Sequence, residues 1–301
     1  SVGNITLGGT GKTVLVEYIA QVVKSRGRKV AVVSRGYKRI VSGHRLPVTG
    51  YKDMGDEPYM LSKKLQGIPI IVDPNRPRAI EKAMRQYAAD SVILDDGFQQ
   101  WKILKDLEIV TIDATDPFGN RNMLPRGILR EPLSSLRRAD IFVLTKVNLV
   151  SDTKALEATL SGINSGARIF HASYVALTFH SIGLDEITQR AEDLRGKTVT
   201  LFSGIANPDS FERLISGAGI KIGLSFKFPD HHCYSNPDLS RVIEASKKEG
   251  IDTIITTEKD SVRLDSLSPI ARHPSPELRL LYLRIGLEIK NEKEFCERLL
   301  N

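Results

Sequence analysis

Six consecutive residues near the start of the chain, Gly8, Gly9, Thr10, Gly11, Lys12 and Thr13, combine backbone freedom, one cation and one hydroxyl at the spacing that grips a polyphosphate. Glycines leave backbone amides free to turn toward phosphate oxygens, and a following helix adds its positive N-terminal end. Lys12 then reaches the β and γ phosphates, and the Thr13 hydroxyl is placed to ligate magnesium. A full consensus begins with glycine at position 6, where this chain has Thr6, but the GKT core and its strand-to-helix setting survive. An ordinary glycine-rich turn is the structural alternative, and the placement between an apolar run and an amphipathic stretch argues against it.

Asp95 and Asp96 directly follow Val92, Ile93 and Leu94, so two carboxylates stand at the carboxyl end of a buried strand. Ligands of open α/β sheets sit there, and one such carboxylate can hold the hydration shell of magnesium. A helix cap or turn is the bland alternative. Asp56, in Gly55-Asp56-Glu57-Pro58, fits a helix start as well as a general base aimed at an acceptor hydroxyl, and both readings stay open. His231 and His232 follow Pro229 and Asp230; adjacent histidines point apart, so one at most faces a cleft. Zinc at His231, His232 and Cys233 is disfavoured because no second ligand pair stands at suitable spacing.

Thr145, Lys146, Val147 and Asn148 resemble a guanine-reading NKxD element, but Asn148 occupies the position of the aspartate, which favours adenine; taken alone the element reads equally as an incidental strand end. Arginines 35, 39, 45, 76, 78, 121, 126 and 130 recur in loops. Taken singly each reads as a solvated surface charge, whereas several at one sheet edge form bidentate phosphate clamps.

The elements that must position these groups are legible from hydrophobic periodicity. Short β-branched runs at 2–6, 29–34, 68–73, 91–95, 107–112 and 141–145 alternate with helical patterns at 13–24 and 78–88, which is the signature of βαβ units around a parallel sheet. Long connections at 35–56 and 115–132 interrupt this regularity, and loops of that length in a compact domain are functional or disordered. After a bridging stretch at 176–197 a second α/β set begins: 198–205, 211–218, 224–228, 239–248, 253–257 and 278–283. The expected fold is therefore α/β, a phosphate-loop nucleotide-binding core with a mostly parallel sheet over 1–177 and a smaller α/β domain over 178–301.

The 301 residues carry 41% hydrophobic and 26% charged side chains, ordinary for a globular protein. Two cysteines are too few for a disulfide framework, and no run approaches the roughly 18 to 20 apolar residues that cross a bilayer. A net charge of +7 favours acidic partners, while aromatics at 6% with no interleaved basic run argue against nucleic acid. No obligatory protein partner is indicated. The chain opens at Ser1, close to the loop, so a segment upstream is expected to be missing.

Linked motifs make the pattern specific. SVGNITLGGTGKT (1–13), SRGY (34–37), GDEP (55–58), DDGFQ (95–99), LREPLSSLRRAD (129–140), TKVN (145–148), FPDHH (228–232) and TEKD (257–260) occur in this order. Together they resemble the tetraacyldisaccharide 4'-kinases of lipid A biosynthesis, over nearly the whole chain. The resemblance implies transfer of the ATP γ-phosphoryl group to the 4'-hydroxyl of a glycolipid, tetraacyldisaccharide 1-phosphate, with Mg2+, at the cytoplasmic face of the bacterial inner membrane. It implies that Asp56 and His231 form a base dyad, that Asp95, Asp96 and Glu131 manage magnesium, and that the second lobe closes the active-site cleft. The sequence departs from the family at Gln100, where a histidine is usual, and the family's N-terminal hydrophobic segment is not seen ahead of Ser1, so the chain is expected either to be truncated or to meet an anionic membrane surface through its basic surface and second lobe. Other readings are a switch or metallochaperone GTPase, a partition-type ATPase on nucleic acid, and a kinase of a soluble small molecule.

Overall fold

The structure, a computed structural model, describes residues 1–36, 54–182, 187–264 and 278–300, and no side chain at 177, 187 or 188. Tyr37, Arg39, Arg45 and most of the 35–56 connection lie outside the described residues. The chain forms two compact units: Ser1–Tyr174 with Leu287–Asn301, and Val175–Gly286.

In the first unit the chain alternates β1 (Val2–Gly3), α1 (Lys12–Ser25), β2 (Val30–Ser34), α2 (Asp56–Lys64), β3 (Ile70–Val72), α3 (Arg76–Tyr87), β4 (Ser91–Leu94), β5 (Ile109–Asp113), β6 (Ile141–Thr145), α4 (Lys154–Ile163) and the start of β7 (Arg168–Ser181). Strands β3, β2 and β4 pair in that order, and β1, β5, β6 and β7 in that order, all parallel. A parallel bridge between Val2 and Asp95 joins the two sets beside the carboxylates. The sequences VAVVS, IVTID and IFVLT are fully buried, as central parallel strands covered on both faces require. Helix α1 places Leu15, Val16, Ile19, Ala20 and Val23 on one buried face, and Gly27, with φ 79°, ends it by donating its amide to the Lys24 carbonyl at 2.9 Å.

The second unit contains β8 (Ile187–Arg190), β9 (Thr198–Ser203), α5 (Pro208–Gly217), β10 (Lys221–Lys227), α6 (Asn236–Lys248), β11 (Thr253–Thr257), α7 (Glu258–Leu264) and most of β12 (Arg279–Ile289). Strands β12, β11, β9 and β10 are parallel neighbours in that order, and β8 pairs antiparallel with β7. Local signals set the helix starts. Asn207 accepts from the Ser210 amide at 3.0 Å ahead of Pro208, and Ser235 and Asp238 form a reciprocal capping box.

Residues 287–301, expected with the second lobe, pack into the first unit. The pairing interactions are apolar: Phe295, fully buried in α8 (Glu292–Leu300), meets Phe170 edge-on at 5.1 Å and Tyr18 of α1 at 6.1 Å. The Tyr18 hydroxyl donates to Glu292 at 2.6 Å. Sequence periodicity cannot assign such a returning segment, because its amphipathic face does not name the surface it covers. Among the described residues no helix is long and apolar enough to cross a membrane.

Because Phe295 is a large side chain at the centre of this contact, Phe295→Ala is expected to lower the unfolding free energy of the protein by about 3–5 kcal/mol in urea titration. A loss below about 1 kcal/mol would show that the C-terminal helix contributes little to the first unit.

Candidate active site

The phosphate loop is shaped by pulling its carbonyls inward. Thr145, at the end of β6, donates to the Thr10 carbonyl at 3.0 Å, and the Lys146 ammonium donates to the Gly9 carbonyl at 3.2 Å while ion-paired to Asp113. The Thr10 hydroxyl shares a 2.8 Å hydrogen bond with Thr111 of β5. With these acceptors tied to the sheet, the loop amides are left for an anion, except that of Thr10, which donates to the Gly8 carbonyl at 3.1 Å. A side chain at position 11 would be strained: the φ of Gly11 is 86°, and a Cβ would lie 2.1 Å from the Tyr174 hydroxyl, which would have to move. Asn148 exchanges hydrogen bonds with the Tyr174 backbone, donating to its carbonyl at 3.0 Å and accepting from its amide at 3.2 Å. The TKVN residues thus support the loop from below, and the Asn148 amide is committed to the backbone rather than to a base.

Asn4, which sequence reading did not single out, organises the charges. It is completely buried, and its amide nitrogen donates to the Thr6 carbonyl and the Thr10 hydroxyl, both at 2.9 Å. Its Oδ1 accepts from Lys12 at 2.9 Å and from Arg130. Arg130 clasps Asp96 bidentately, with both N–H···O distances 2.8 Å, and Lys12 lies 3.5 Å from the same carboxylate. Burial pushes the Asp96 carboxyl up, but Arg130 and Lys12 more than offset it and hold it lowered to about 2.

Asp95 is in the opposite state. Burial, and then the neighbouring Glu57 and Asp96 charges, push its carboxyl up to about 7, against the opposing pull of Lys12 and the Ser34 hydroxyl, which donates to it at 3.0 Å. Beneath it lies Arg76, 1% exposed, whose Nη2 donates to the Asp95 carbonyl at 2.9 Å. The reading of each loop arginine as a surface charge therefore fails at Arg76: as the first residue of α3 it points under the strand end. Its Nε and Nη1 are buried without a hydrogen-bond partner. Arg35, Arg121 and Arg126 are exposed, and Arg78 forms a surface pair with Asp73 at 2.7 Å.

Glu131 is buried and accepts from Gln99 at 2.9 Å and from Arg138 at 2.9 and 3.1 Å. Gln99 also donates to the Asn4 carbonyl at 3.0 Å, linking Glu131 to the Asn4 cluster through one side chain. Gln100 sits in the turn that follows, its amide donating to the Gly97 carbonyl at 2.9 Å. Asp56 is the first residue of α2, with Gly55 in the capping position at φ 88°.

In the second unit His231, at φ 60°, has Nδ1 3.3 Å from Arg263 and Nε2 3.4 Å from Lys259. Arg263 also donates to the Gly204 carbonyl at 2.8 Å and to Asp260 at 2.9 Å. Asp260 is fully buried and accepts from the Gly204 amide and the Thr257 hydroxyl. The TEKD residues thereby brace the turn that presents His231. His232 points elsewhere, stacking on Phe228 and meeting Asp238 at 3.1 Å. Among the described residues no group of three or more His, Cys, Asp or Glu side chains could hold a metal ion.

That distribution fits magnesium, which binds through one or two carboxylates, substrate phosphates and its own waters rather than an all-protein cage. Asp96 is already balanced by two cations and Glu131 is engaged by Arg138, whereas burial and neighbouring carboxylates destabilise the anion of Asp95, as befits a carboxylate short of a cation.

Two outcomes follow. Asn4→Ala removes the side-chain oxygen shared by Lys12 and Arg130, leaving them Asp96 and, for Arg130, the residue 4 carbonyl; it is expected to cost about 2–4 kcal/mol in unfolding free energy, with at least a tenfold loss of ATP affinity by calorimetry. Asp95→Asn is expected to raise stability at about pH 8, and less at about pH 5. Since the folded carboxyl titrates above its unfolded value, the wild type loses stability as pH rises through about 7. Urea titrations at both pH values check this.

A family model described as LpxK, tetraacyldisaccharide-1-P 4'-kinase, matches residues 1–301. The tetraacyldisaccharide 4'-kinase of Halothermothrix orenii is 36% identical over 315 residues, covering 99% of this chain and 82% of that protein. The enzyme of that name from Syntrophotalea carbinolica is 35% identical over 294 residues, covering 95% and 79%. Among solved structures, "apo" form LpxK from Aquifex aeolicus in complex with ATP is similar with a TM-score of 0.73 and 28% identity, covering 100% of this chain and 87% of that one. On the strength of that full-length match and of the shared architecture, the chain belongs to the tetraacyldisaccharide 4'-kinase family.

Proposed function

We propose that this protein transfers the γ-phosphoryl group of ATP to the 4'-hydroxyl of tetraacyldisaccharide 1-phosphate, the kinase step of lipid A biosynthesis. One observation carries the reading: in a chain that matches this family from end to end, the Lys12 ammonium stands at the start of α1 beside the Asp96 carboxylate.

In the proposed reaction the acceptor oxygen attacks the γ-phosphorus, the bond from that phosphorus to the β–γ bridging oxygen breaks, and ADP leaves. The backbone amides of Gly8, Gly9, Gly11, Lys12 and Thr13 hold the phosphates and Lys12 follows the charge of the transferring group. Thr13 and Asp95 would hold magnesium, with Asp96 as the neighbouring countercharge; bound there, the metal neutralises charge on the β and γ oxygens. Glu131, engaged by Arg138 and Gln99, is assigned to setting the charge balance around them. Asp56 is assigned to take the hydroxyl proton and His231 to tune that base, roles supported by family membership and by the bracing of the His231 turn.

The acceptor's four acyl chains keep it in a bilayer and ATP is cytoplasmic, so we place the protein at the cytoplasmic face of the inner membrane as a peripheral enzyme. An anionic membrane surface is its proposed partner, in keeping with a net charge of +7.

The test is transfer from labelled ATP to the acceptor in detergent micelles. The wild type is expected to label the lipid, and Asp56→Ala and His231→Ala to lose about 10²- to 10⁴-fold in transfer while still binding ATP. Hydrolysis of ATP without labelled lipid would overturn the kinase reading.

A further inference from the structure

The 115–132 connection carries a feature that phosphate transfer itself does not use. Its backbone folds back on the strand leading into the phosphate loop. The Arg130 amide donates to the Ile5 carbonyl at 2.7 Å, Thr6 bridges Leu129 antiparallel, and the Leu7 amide donates to the Ile128 carbonyl at 2.7 Å. On the other side Met123 bridges Leu129, and the Leu124 amide donates to the Leu129 carbonyl at 3.0 Å. Three short segments thus form one layer, with Ile5 and Leu129 buried beneath it.

The outward side chains are large and apolar. Leu7 is 49% exposed, Met123 47% and Leu124 49%. Hydrophobic side chains clustered in this way, in a layer held by backbone hydrogen bonds, mark an interaction surface rather than scattered exposure. Its charge is one-sided. Between Pro117 and Arg130 the sequence has Arg121, Arg126 and Arg130 and no carboxylate. Arg130 is spent on Asp96, but Arg121 and Arg126 are exposed on the same turn as Met123 and Leu124.

We infer that Leu7, Met123 and Leu124, flanked by Arg121 and Arg126, form the surface by which this protein seats on an anionic bilayer. Apolar side chains enter the boundary between headgroups and acyl chains, and the guanidinium groups meet lipid phosphates. The position gives the seat a purpose: Leu7 immediately precedes Gly8, so the layer brings the phosphate loop to the plane in which a lipid headgroup presents its hydroxyl. This inference rests on the proposed lipid-kinase function and names the surface that such a function needs.

The experiment uses the whole purified chain with vesicles of phosphatidylcholine alone or mixed with phosphatidylglycerol. In a Trp101→Phe background, Leu124→Trp reports locally. Its emission is expected to shift to the blue, and to be quenched by brominated lipid, only with the anionic vesicles. Met123→Ser with Leu124→Ser, and separately Arg121→Gln with Arg126→Gln, are expected to reduce co-sedimentation with those vesicles at least tenfold. Both pairs should keep wild-type circular dichroism and wild-type transfer to detergent-solubilised acceptor. Vesicle binding by the wild type that neither pair weakens, no binding at all, or an unshifted Leu124→Trp would overturn the inference. Equal losses in detergent would also overturn it, since the layer would then serve the acceptor or the fold. Transfer by the wild type in detergent reports separately on the lipid-kinase reading.

Discussion

The first unit depends on one buried amide. Asn4 presents an oxygen to two partly buried cations, Lys12 and Arg130, and a nitrogen to the buried Thr6 carbonyl and Thr10 hydroxyl. A buried donor or acceptor left unmatched is costly, and a buried charge without a partner more so, so this side chain fixes the strand, the loop and the acidic turn together. An apolar residue at position 4 would remove the neutral acceptor that Lys12 and Arg130 share and leave them only Asp96 in common.

Around that point the unit keeps one carboxylate quiet and the next one poised. Asp96 is clasped by Arg130 and Lys12; Asp95, one residue away, is buried beside Glu57 and Asp96 and resists ionisation. Adjacent carboxyls of the same type are thus held with opposite tendencies by their surroundings alone. The loop beside them is kept in shape by residues that resemble a base-reading element, whose lysine and asparagine are instead spent on Asp113, Gly9 and Tyr174. That commitment leaves the guanine-switch reading without its reading residue.

Much of this was legible in the sequence because its signals are local. The strand at 141–145 and that at 253–257 fall where β-branched runs place them, and α1 and α3 lie within two residues of their expected bounds. The phosphate loop and the paired aspartates are contiguous motifs whose context is written beside them. What escaped is set by distant contacts. Asn4 looks like any polar residue in a strand until Arg130 arrives from 126 positions away. Arg76 reads as surface charge because composition does not reveal that the first turn of α3 lies under Asp95. The bracing of His231 by Arg263 and Asp260, and the return of 287–301 to the first unit, are likewise tertiary facts.

A kinase of this family delivers the phosphate leaving ATP to a sugar hydroxyl rather than to water. The most direct test counts products: ADP formed against new phosphate monoester on the acceptor, followed by phosphorus nuclear magnetic resonance in detergent micelles with magnesium. One monoester at the 4' position is expected for each ADP, with little free inorganic phosphate. ADP accompanied by inorganic phosphate, with the acceptor's phosphorus spectrum unchanged, would contradict it.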